Sequence, residues 1–72
     1  MFTSVKNLIA LIDKNIGYVL DAKEHHECSE AEYESYLESM EYLLDKQLKK
    51  LSELSCNEKL IESYRKKVFN LF

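Results

Sequence analysis

YESYLESMEYLLDKQLKKLSEL, residues 33–54, places Tyr33, Leu37, Met40, Leu44, Gln47, Leu51 and Leu54 at spacings that alternate four and three. That is the a/d pattern of a helix burying one narrow seam against another helix. Gln47 alone interrupts the apolar series. The stretch decides the fold class, a small all-α helical bundle, and names neither a reaction nor a partner.

Just before it, Ser29 and Glu32 form an S-x-x-E capping box, with Cys28 and Tyr33 at the hydrophobic-staple positions. A helix over about 30–54 follows, roughly 37 Å long at 1.5 Å per residue. Upstream, Val5, Leu8, Ile9, Ile12, Ile16, Val19 and Leu20 recur at helical spacing behind a cap at Thr3 or Ser4. They predict a first helix over about 4–24. With Leu11 and Tyr18, its apolar arc spans roughly 200°, wider than one neighbour can bury. Gly17 lies on the polar face with Lys14 and Asp21. It costs about 1 kcal/mol against alanine there, and a mild kink is expected.

Downstream, a second S-x-x-E at Ser55 and Glu58 predicts a break and a third helix over about 56–70. Leu60, Ile61, Tyr64, Val68, Leu71 and Phe72 would share its apolar face. The alternative is one rod fused from the second and third helices. The expected architecture is one domain, residues 1–72, of two long antiparallel helices and a shorter C-terminal one. Homo-oligomerisation would complete it, because the first helix offers more apolar arc than the roughly 140° seam of the second can cover.

Composition agrees. The chain is 46% hydrophobic and 32% charged, a globular balance. A single glycine and no proline argue against a turn-rich β fold. At 72 residues a single core is only marginally stabilising. The longest apolar run, Leu8 to Ile12, is too short to span a bilayer, and Asp13 and Lys14 interrupt any signal-like segment. A cytoplasmic protein is expected. Net charge is −3, unevenly spread: residues 21–45 hold nine acids and one base, residues 46–72 seven bases and three acids. Such a charge dipole favours an antiparallel self-arrangement or a charged partner.

Candidate sites follow from these patterns. Glu34, Glu38, Glu41 and Asp45, at i, i+4, i+7 and i+11, line one flank of the second helix. Like charges so spaced cost a few tenths of a kcal/mol per pair, and they suit a basic partner. Tyr42 and Phe69 project away from the apolar arcs of their helices, as interface aromatics do. His25, His26 and Cys28, flanked by Glu24 and Glu27, are residue types that bind zinc. Structural zinc takes four ligands, and the other cysteine, Cys56, would stand about 40 Å from Cys28 along a continuous helix. No metal or other cofactor is therefore expected; a metal-responsive oligomer using His25, His26 and Cys28 is the alternative. The basic residues Lys46, Lys49, Lys50, Lys59, Arg65, Lys66 and Lys67, with Asn57 and Asn70, offer a nucleic-acid-associated regulator as another alternative. An acidic chain and an overlong second helix weigh against it.

With one glycine there is no phosphate-binding loop, and neither a nucleophile elbow nor H-E-x-x-H occurs. The expectation is a non-enzymatic binding protein: a regulator, inhibitor or adaptor acting through protein–protein contacts. Its many Lys, Glu, Asn, Ile and Tyr residues suit a bacterial or phage accessory protein. Leu54 to Lys66, with its Leu-Ser start and Leu-Ile-Glu-Ser-Tyr run, resembles the opening of the Sda family of helical-hairpin histidine-kinase inhibitors. The likeness covers about a sixth of the chain at its opposite end, so no function or residue is carried over.

Overall fold

The computed structural model describes residues 4–25 and 29–72, and among them the chain forms three helices. They are α1 (Val5–His25), α2 (Glu30–Leu54) and α3 (Glu58–Leu71). Thr3, His26, Glu27 and Cys28 lie outside the described residues.

Each described helix start has a chemical cause. The Ser4 hydroxyl accepts from the Asn7 backbone N–H at 3.1 Å and so caps α1. Ser29 takes the same role for α2, accepting from the Glu32 N–H at 3.3 Å, with Glu30 and Glu32 facing the positive end of the helix dipole. At the second junction the expected cap is displaced. Ser55 closes α2, its N–H bonded to the Leu51 carbonyl, while its hydroxyl accepts from the Asn57 N–H at 3.1 Å. Asn57 then caps α3, its side-chain oxygen accepting from the Leu60 N–H at 3.1 Å. Helix α3 therefore starts at Glu58, two residues later than the spacing predicts. The break needs no glycine, since short polar side chains supply the partners that a continued helix would have supplied.

Asn15 meets Gln47 across α1 and α2, which pack antiparallel. Tyr64 meets Asp13, and the Lys23 ammonium donates to the Leu71 carbonyl, so α3 runs parallel to α1. The second contact places a cation on an orphan carbonyl at the negative end of α3. The core comprises Leu8, Ile12, Ile16 and Val19 of α1, Leu44, Leu48 and Leu51 of α2, and Ile61, Tyr64, Val68 and Leu71 of α3.

The a/d seam of α2 is buried only in part. Leu44, Gln47 and Leu51 are buried, Tyr33, Leu37 and Met40 are half-buried, and Leu54 is exposed. Two causes account for this. With 14 residues against 25, α3 covers only the C-terminal half of α2. A straight helix also drifts about 20° per heptad from a 3.5-residue repeat, so by Leu54 the stripe has turned off the core and Leu48 has entered it.

Gly17 is exposed, and a Cβ built there meets nothing within 4 Å. Among the described residues, nothing approaches closely enough to require the missing side chain.

Candidate functional site

An open groove of about 1200 Å³ lies between α2 and α3. Its floor is apolar, made by Leu48 and Val68 at the edge of the core. Glu41 and Asp45 stand on the α2 wall, while Arg65, Phe69 and Phe72 stand on the α3 side. Phe69 is 82% exposed.

The groove unites candidates that the sequence shows only separately. Glu41 and Asp45 belong to the acidic flank and Phe69 to the stray aromatics; all three line the same cavity. Glu34 and Glu38, also exposed, continue the flank along the part of α2 that extends past α3. Among the described residues, no base lies within ion-pair distance of Glu41 or Asp45, whereas Glu53 in the same groove pairs with Lys50 at 3.9 Å. Tyr42 is not part of the groove. It is 64% exposed, with the Lys46 ammonium 4.9 Å from its ring centroid.

Spacing predicts Phe72 on the core face of the third helix, yet it is exposed and lines the groove. It follows the last helical residue, Leu71, so helical register no longer directs it inward. Leu48 fell outside the a/d seam; its signal is its spacing of four from Leu44 and three from Leu51.

On the other side of α3, the Tyr64 hydroxyl donates to an Asp13 carboxylate oxygen at 3.0 Å. Burial, then this hydrogen bond and the negative charge of Asp13, hold the phenol above its ordinary pKa. The folded state thus retains a proton that the unfolded chain releases near pH 10. The Tyr64 contribution is complete below that pH and is lost as pH rises through the folded-state pKa. Tyr64→Phe is expected to cost about 1 kcal/mol at pH 7 and to flatten the fall in stability above pH 10. Urea titrations at pH 7 and pH 10.5 measure both; an alkaline limb identical to wild type contradicts the assignment.

His25 is the last residue of α1 and is exposed. Among the described residues, no three His, Cys, Asp or Glu side chains cluster to hold a metal ion; His26 and Cys28 of that candidate set lie outside them. Cys56 is an exposed free thiol. No described helix is long and apolar enough to cross a membrane. No known protein family, curated protein or solved structure matches the chain.

Proposed function

We propose that this chain is a non-catalytic binding protein whose α2–α3 groove receives a basic amphipathic helix of a larger protein, which it thereby regulates, inhibits or tethers. The observation that supports the reading is the convergence of Glu41 and Asp45, neither within ion-pair distance of a base among the described residues although Lys49 and Arg65 line the same groove, with the exposed Phe69 across an apolar floor. A helix entering such a groove presents apolar anchors at i, i+3, i+4 and i+7. Here those anchors would meet Phe69, Phe72 and Leu48, while Lys or Arg on its flank would meet Glu41 and Asp45. Glu34 and Glu38 extend the acidic track and would attract such a partner from a distance within the Debye length, about 8 Å at physiological salt. The same reading takes the setting to be the cytoplasm.

Fluorescence anisotropy with a labelled Leu/Lys amphipathic peptide, against its Leu/Glu counterpart, tests this. The Leu/Lys peptide should bind, more weakly as salt rises, and both Glu41→Lys/Asp45→Lys and Phe69→Ser should abolish binding. Equal affinity for the two peptides, or indifference to both variants, rejects the reading.

A further inference from the structure

The groove between α2 and α3 carries both signs of charge, and it carries them in order. Along α2 its wall reads Glu41, Asp45, Lys49 and Glu53, each about one turn from the next. The series spans about 18 Å at 1.5 Å per residue. Glu53 pairs with Lys50 at 3.9 Å, which leaves Glu41 and Asp45 as one pole and Lys49 as the start of another. Helix α3 supplies the rest of that second pole. It runs parallel to α1 and hence antiparallel to α2. Arg65 therefore lies toward the C-terminal end of α2, and Phe69 and Phe72 lie toward Asp45.

Lys49 and Arg65 are exposed, and among the described residues neither lies within ion-pair distance of an acid. A uniformly basic helix in the groove would be attracted at Glu41 and Asp45 and repelled at Lys49 and Arg65. We infer that the occupant is a charge-segregated amphipathic helix, an inference that rests on reading the groove as a helix-binding site. Its Lys or Arg residues face Glu41 and Asp45, and its Asp or Glu residues face Lys49 and Arg65. Lys49 follows the midpoint of Glu41 and Asp45 by six residues, about 9 Å along the wall. The acids of the guest therefore stand about two turns from its bases, on the same face.

Lys49 and Arg65 are thus specificity residues of the groove. Exposed pairs add little affinity, but like charges placed opposite a wrong partner discriminate against it. The same two residues fix which end of the guest lies where. The dipole of a guest helix is worth about half a charge at each terminus, against two full charges at each pole of the groove. Side-chain charge outweighs backbone direction. The acidic end of the guest then lies toward the connection at residues 55–57, whichever way its chain runs.

Fluorescence anisotropy with three labelled peptides of equal length and leucine content reads the selection. One is the Leu/Lys helix; the other two carry Lys in one half and Glu in the other, in the two possible orders. Both segregated peptides should bind about tenfold more tightly than Leu/Lys, because repulsion becomes attraction at two residues. Lys49→Glu/Arg65→Glu should reverse that preference. Lys49→Gln/Arg65→Gln, milder at the same exposed sites, should erase it and decides the matter if the first variant fails to fold. Comparing variants cancels any difference in the helicity of the peptides themselves. A nitroxide on Cys56, the exposed thiol of the connection, reports orientation in a Cys28→Ser background. It should broaden the resonances of the Glu half in both orders. Leu/Lys binding as tightly as the segregated peptides, or broadening of the Lys half, overturns the inference and leaves the groove reading standing. Absence of binding by all three rejects the groove reading and this inference with it.

Discussion

Leu44→Ala is expected to remove about 2–5 kcal/mol of stability, the largest loss from any single substitution considered for this chain. Leu44 is fully buried in a core to which all three helices contribute, so truncation leaves a cavity that the packed elements cannot fully collapse to fill. The total stability of a 72-residue domain is roughly 4–11 kcal/mol, so the loss takes a large share of it. Urea denaturation followed by circular dichroism should show a much lower midpoint at unchanged slope. Tyr42→Ala, two residues away and mostly exposed, should cost less than about 1 kcal/mol. Were the two losses equal, the core would not run through Leu44.

The Asn15–Gln47 pair yields the second large effect. The two side chains are 7% and 9% exposed and share one hydrogen bond of 3.0 Å. Gln47→Leu removes the acceptor and leaves the Asn15 amide buried without its partner, at a cost of about 1–3 kcal/mol. Adding Asn15→Leu should recover that loss or exceed it, because two apolar groups then pack where a stranded amide stood. A double-mutant cycle should therefore give a coupling of about 0.5–3 kcal/mol. Strictly additive losses would mean that the bond does not form in solution.

These residues also show what the amino-acid order reveals and where it stops. The limits of α2 were legible because they rest on local chemistry: Ser29 bonds Glu32 three residues on, and the apolar repeat is periodic. The start of α3 was displaced because Ser55 and Asn57 compete for one junction, and the serine hydroxyl is engaged by the Asn57 N–H two residues away. Gln47 was visible as an exception, but its partner lies 32 residues distant on another helix and has no local signature. The groove was less legible still. Tyr42 and Phe69 bear the same mark, an aromatic off its apolar arc, yet only Phe69 lines the cavity. Which face each helix turns toward the other separates them, and tertiary packing sets that orientation.

The unequal cover of α2 divides one continuous helix into two regimes of motion. Around Leu44 and Leu51, both fully buried, backbone amides are expected to open to solvent only when the whole domain unfolds. In the turns that hold Glu34 and Glu38, past the reach of α3, fewer buried contacts oppose opening, and local fraying suffices. The acidic track thus begins on ordered ground at Asp45 and ends on ground that a ligand must quiet. If the proposed basic partner grips the outer half, it would forfeit part of its binding energy to that ordering. The affinity of such a partner would then be set in part by the entropy of the first few turns of α2, with no change of shape.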